Sequence, residues 1–137
     1  MKQAQIVLIE DNPADVLLIK LALKTIGIAH VLTHFESGEE AVQTLCSESE
    51  NESFVPDAIL LDLNTPLSDG FETLRKFREF SPFTTVPIAI LTSSRDRKDK
   101  HRAGMEGARY VEKPSQLSPF LTSVGEAVKA MLHPGDS

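Results

Sequence analysis

Four short apolar runs of this chain end in groups that can handle phosphate. Ile6-Val7-Leu8-Ile9 runs into Glu10-Asp11, and Ala58-Ile59-Leu60-Leu61 runs into Asp62. Pro87-Ile88-Ala89-Ile90-Leu91 runs into Thr92, and Arg109-Tyr110-Val111-Glu112 runs into Lys113-Pro114. If the runs are neighbouring parallel strands, three carboxylates, a hydroxyl and an ammonium converge at one sheet edge. The carboxyl ends of strands are where open α/β sheets bind ligands. Clustered carboxylates can hold a divalent cation and leave one oxygen as nucleophile. The cation, the hydroxyl and the lysine would then neutralise an incoming phosphoryl group.

Each group taken singly has a plainer explanation. Acids before a helix favour its positive end, Asp62 could be an acid near a turn, Thr92 could pack on a strand, and Lys113 could be solvated. Their conjunction at four strand ends is what points to phosphoryl chemistry.

The elements that must position these groups are legible around them. Asn12-Pro13-Ala14-Asp15 is a helix start: Asn12 can cap, Pro13 suits the first turn, and Asp15 favours the positive end of the dipole. Val16, Ile19, Leu23 and Ile26 form one stripe of that helix, and Leu17, Leu18 and Leu21 widen it before Gly27 ends it with a left-handed cap. A strand near His30 to Phe35 leads to Ser37 and Glu40 in capping-box spacing, ahead of Ala41, Val42 and Leu45. Ser47 to Ser53 is too polar to pack and reads as a solvated loop. Asp69-Gly70 opens a helix bearing Phe71, Leu74 and Phe77, closed by Ser81-Pro82. Arg95 to Arg102 is nearly all charged, so a helix there has a thin apolar face limited to Ala103 and Met105, and it should be the least firmly anchored. Ser118-Pro119 starts a last helix with Leu121, Val124, Val128 and Leu132, in which Gly125 costs about 1 kcal/mol relative to alanine. Five strands alternating with five helices predict an α/β, doubly wound, five-stranded parallel sheet covered on both faces.

Composition limits the alternatives. A chain of 137 residues, 41% of them apolar, suits a single domain over 1–137 with its core at about 5–132. A net charge of −6 gives no general attraction to nucleic acid or to an anionic membrane. No stretch approaches the roughly 20 apolar residues of a membrane span, and Met1 to Gln5 lead directly into a strand, so a cytoplasmic protein is expected. Cys46 has no partner for a disulfide and reads as incidental. His30, His34, His101 and His133 are too scattered for a metal cluster and read as surface or packing residues.

With these residues in order, the sequence resembles the receiver domain of bacterial response regulators, the phosphoacceptor half of two-component signalling. The resemblance runs from Ile6 to Leu132. It is carried by Glu10-Asp11, Leu60-Leu61-Asp62-Leu63-Asn64, Pro66, Gly70, Thr92-Ser93 and Tyr110-Val111-Glu112-Lys113-Pro114. It implies a flavodoxin-like fold of strand order 2-1-3-4-5. Asp62 would take a phosphoryl group from the histidine of a histidine kinase or phosphotransfer protein. Asp11 and Asp62 would ligate Mg²⁺ directly, with the Asn64 carbonyl as a third ligand and Glu10 acting through water. Lys113 would pair with Asp62 at rest and with phosphoryl oxygens afterwards. Thr92 would move towards the phosphoryl group, Tyr110 would follow, and the face made by the fourth helix, fifth strand and fifth helix would change. The resemblance also implies a cis Lys113–Pro114 bond that aims the lysine.

Glu10, where many relatives carry Asp, is a departure that keeps the charge and should keep Mg²⁺ binding. The five cations of Arg95 to Arg102 could dock an acidic partner, although a solvated charged helix is the simpler reading. The short tail after the last helix suggests a stand-alone receiver that signals through protein contacts, including a homodimer, without nucleic acid or membrane. The acidic loop and the Glu10-to-Asp15 phrase look most like receivers serving phytochrome-type kinases. Such a protein is not an enzyme beyond its own phosphorylation and dephosphorylation. Two rivals remain: a phosphorylation-independent interaction module, and an aspartyl-nucleophile phosphatase of haloacid-dehalogenase type. Asp62-Leu63-Asn64-Thr65 weakly echoes the signature of the latter, but Asn64 cannot act as its general acid.

Overall fold

A computed structural model of the chain describes residues 3–46, 54–65 and 68–133. The acidic stretch from Ser47 to Ser53, Pro66, and the tail after His133 lie outside the described residues. The elements are β1 (Ala4–Ile9), α1 (Pro13–Thr25), β2 (His30–Phe35), α2 (Gly38–Leu45), β3 (Ala58–Asp62), α3 (Gly70–Glu79), β4 (Ile88–Thr92), α4 (Arg97–Met105), β5 (Arg109–Glu112) and α5 (Leu117–Leu132). The five strands pair in parallel in the order β2-β1-β3-β4-β5, as expected.

Strand side chains alternate between faces, and both faces are covered, which is why the runs are apolar throughout. Ile6, Leu8, Ala58, Leu60, Ala89 and Leu91 point to α1 and α5, where they meet Ile19, Leu23, Phe120, Val124 and Val128. Val7, Ile9, Ile59, Leu61, Ile88 and Ile90 point the other way, into Ala41, Leu74, Phe77 and Phe83. Burying side chains of this size contributes about 1.5–3 kcal/mol each, so both layers hold the strand ends in fixed register.

Local signals act as their chemistry requires. The Asn12 side chain accepts from the amides of Ala14 and Asp15, Ser37 caps α2, and Gly27 ends α1 at a φ of 73°. The helical glycine Gly125 has a packing reason, since a Cβ there would lie 2.7 Å from Ile26 Cγ2 where α5 crosses α1. Gly70 is required more strictly: a Cβ would lie 2.7 Å from both the Cα and the carbonyl oxygen of Leu63. Its amide donates to that carbonyl at 3.0 Å, and the two-residue ribbon pairing Asn64 and Thr65 with Ser68 and Asp69 closes the loop after β3.

Three expectations shift at the edges. The charged helix begins at Arg97 under an Asp96 cap rather than at Arg95, and Met105 is 74% exposed, so Ala103 alone is buried along α4. The last helix starts at Leu117, a residue before Ser118. Leu17 is 66% exposed on α1 and Leu21 is also exposed, whereas Leu18 packs partly against the α1/α5 core.

Candidate functional site

Strand order reverses direction between β1 and β3, which opens a crevice above their carboxyl ends. Glu10 and Asp11 follow β1 there, and Asp62 ends β3 beside them. Carboxylate oxygens of Glu10, Asp11 and Asp62 all lie within 4.8 Å of one another. Glu10 is buried, Asp62 nearly so, and Asp11 is exposed at the rim. Three hard oxygen donors at this spacing, with an open side for water, suit a divalent cation such as Mg²⁺. Asn64 stands two residues beyond Asp62 in the ribbon paired with Asp69, which keeps its backbone at the same end of the sheet.

Backbone contacts hold the acids in place. The Glu10 amide donates to the Phe35 carbonyl at 3.0 Å, and His34 Nε2 donates to the Glu10 carbonyl at 2.7 Å. His34, read from sequence as surface or packing, therefore pins the turn that carries two of the acids. Burial, then the neighbouring Asp62 carboxylate, pushes Glu10 up to about 7, and Lys113 pulls the other way.

Lys113 arrives from the opposite side. Its amide donates to the Thr92 carbonyl at 2.7 Å, extending the β4–β5 ladder by one residue. That bond, rather than a cis proline, aims the side chain: the Lys113–Pro114 peptide is trans, contrary to expectation. The ammonium forms the expected ion pair with Asp62 but has two closer partners besides it. Nζ lies 2.8 Å from Glu10 Oε1 and 2.8 Å from Asp15 Oδ2, but 3.7 Å from Asp62 Oδ2. Burial works against its charge, yet the hydrogen bonds to Asp15 and Glu10 and the Asp62 charge outweigh it and raise its pKa. Asp15 was legible only as a helix-terminus acid, because its sequence position gives no hint of a contact with β5.

The cleft formed by Glu10, Asp11, Asn12, Asp15, Asp62, Ser93 and Lys113 has a volume of about 270 Å³. Thr92 sits beneath it, 1% exposed, and its Oγ1 accepts from the Ser94 amide at 3.0 Å. The Tyr110 hydroxyl donates to the Ser94 carbonyl at 2.9 Å, and Ser94 Oγ donates to Asp99 of α4 at 3.2 Å. Thr92, Tyr110 and the first turn of α4 thus share Ser94, which sequence reasoning passed over.

The model of the response regulator receiver domain matches residues 6–124. The chain belongs to the response regulator receiver family. Relatives narrow the likeness. It is 37% identical over 95 residues to response regulator Rcp1 of Synechocystis sp., a match spanning 69% of this chain and 65% of Rcp1, just under two thirds of that relative's length. Among solved structures it resembles the phosphorylated cyanobacterial phytochrome response regulator RcpA, with a TM-score of 0.86 and 29% identity over 98% of both chains. It also resembles the Mn²⁺-bound form of Rcp1, with a TM-score of 0.83 and 28% identity over 98% of this chain and 97% of that one. The expected fold and the likeness to phytochrome-linked receivers are therefore borne out. Receiver domains bind divalent metal, and the acidic cluster of this chain fits such a site. Among the described residues no helix is long and apolar enough to cross a membrane.

Proposed function

We propose that this receiver domain accepts a phosphoryl group on Asp62 from the phosphohistidine of a histidine kinase or phosphotransfer protein, with Mg²⁺ as its cation. The observation that carries the reading is the meeting of Glu10, Asp11 and Asp62 oxygens within 4.8 Å, with the Lys113 ammonium 3.7 Å from Asp62. Bound Mg²⁺ would screen the negative charge of nucleophile and phosphoryl group. Asp11 and Asp62 would hold it directly, with the Asn64 carbonyl as third ligand and Glu10 through water.

The residues of the chain supply positioning and charge. An Asp62 oxygen attacks phosphorus, the bond from phosphorus to the donor imidazole breaks, and the imidazole leaves. Lys113 and the Thr92 hydroxyl then stabilise the phosphoryl oxygens. Thr92 is already buried beneath the cleft, so its contact with a phosphoryl oxygen takes Oγ1 from the Ser94 amide and disturbs the hydrogen bonds running to Tyr110 and α4. The output is a changed contact surface on α4, β5 and α5, suited to a protein partner or a second copy of the chain. Turnover is confined to Asp62 itself, without an external substrate.

Intact mass after incubation with Mg²⁺ and acetyl phosphate tests the proposal. One added phosphoryl group is expected, absent in Asp62→Asn. An adduct undiminished in that variant would place the chemistry elsewhere.

A further inference from the structure

Asp15 is the carboxylate in the cleft for which the phosphoacceptor reading has no use. It lies in the first turn of α1, partly buried, and its Oδ2 is 2.8 Å from Lys113 Nζ across a sequence separation of 98. An ammonium has three protons. Those bonding Glu10 and Asp15 hold Nζ towards β1 and α1, and the 3.7 Å to Asp62 Oδ2 is beyond hydrogen-bond length. Lys113 therefore meets Asp62 only as an ion pair, while its hydrogen bonds go to Glu10 and Asp15. A helix-terminus role alone accounts for an acid in this turn, but not for one turned onto the lysine that follows β5.

We propose that Asp15 is a positioning residue that restrains Lys113 on the α1 side of the cleft and so opposes the phosphorylated state. The inference rests on Asp62 being the phosphoacceptor. Two effects act with the same sign. Asp15 competes with a phosphoryl oxygen for the ammonium, and its own negative charge repels an anion bound at Asp62. Oδ2 of Asp15 can be no farther from Oδ2 of Asp62 than the two lysine contacts laid end to end, a range over which partly buried charges are felt. The receiver would then be set towards its unphosphorylated form by a residue outside the metal-binding acids.

Beryllofluoride, a phosphoryl mimic, provides the test when titrated by fluorine NMR at saturating Mg²⁺ into wild type, Asp15→Asn, Asp15→Glu and Asp62→Asn. Asp15→Asn is nearly isosteric and should tighten binding about two- to fivefold, the scale of a partly exposed ion pair. Asp15→Glu keeps the charge and can still reach the ammonium, so it should stay within about twofold of wild type by the same reasoning. Unchanged or weaker binding in Asp15→Asn would overturn the proposal, as would equal tightening in Asp15→Asn and Asp15→Glu, which would mean packing rather than charge. A loss of helix-terminus stability moves the melting temperature and leaves affinity for the mimic alone, so the two roles separate. Wild type that fails to bind the mimic, or Asp62→Asn that binds it equally well, would overturn the phosphoacceptor reading itself.

Discussion

The hydroxyl of Tyr110 on β5 donates to the backbone carbonyl of Ser94 at 2.9 Å, although sixteen positions separate them in the chain. Ser94 also gives its amide to Thr92 Oγ1. One loop residue thus touches both side chains of the expected switch. A neutral hydrogen bond of this kind contributes about 0.5–1.5 kcal/mol. Tyr110→Phe should lower stability by about that amount and speed amide exchange from Ser94 to Lys98 in the unphosphorylated protein. Exchange identical to wild type there would show that the bond does not restrain the loop.

The raised pKa of Glu10 predicts a pH slope. From the ordinary Glu range up to about 7, the folded metal-free protein keeps a proton that the unfolded chain has released. Stability therefore falls as pH rises across that window, and is flat with respect to Glu10 below it. The raised Lys113 pKa contributes only at alkaline pH, where its stabilisation is lost. Melting temperatures measured in chelator from about pH 4.5 to 7 should show the slope, and Glu10→Gln should flatten it. An identical slope in the variant would assign the proton to another group.

Metal affinity should depend on Asp11 more than its exposure suggests. Asp11→Asn removes a negative donor from a site of few protein ligands and should weaken Mg²⁺ binding by at least about tenfold in calorimetry. Equal affinity would move the cation away from this cluster.

On α1 the two neighbouring leucines separate by packing. Leu17 is 66% exposed, whereas Leu18 touches the core. Leu17→Glu should leave melting and acetyl phosphate labelling unchanged while slowing transfer from a cognate kinase, because an exposed apolar patch marks a contact surface. Leu18→Glu should lower thermal stability. Wild-type transfer rates in Leu17→Glu would remove this helix from the docking surface.

Arg78 anchors the C-terminal end of α4. Its guanidinium donates to the carbonyls of Glu106, Gly107, Phe83, Thr84 and Val86. Arg78→Ala should cost about 1–3 kcal/mol in urea unfolding, since several partly buried carbonyls lose their donor together. Arg78→Lys should recover only part of this, because an ammonium cannot span both groups of carbonyls as the planar fork does. Full recovery would mean that charge alone matters at this position.

What the sequence by itself determined is what short-range periodicity and motif chemistry encode. The apolar runs are strands because residues buried on both faces have no polar alternation to show, and Asn12, Ser37 and Gly27 mark helix ends through bonds made within a few residues. The acids, hydroxyl and lysine at the strand ends follow from the runs that carry them. Tertiary structure alone decided how those groups divide their bonds. Lys113 could bond Glu10 and Asp15 more closely than Asp62 only once α1 had packed beside β3, with Gly125 letting α5 approach Ile26. His34 on Glu10, Ser94 between Thr92 and Tyr110, and Arg78 beneath α4 are likewise invisible to local pattern. Each of these contacts runs through a backbone carbonyl or amide, which any residue type presents, so the pairing is selected by where the folded chain brings that backbone and not by a side-chain signature.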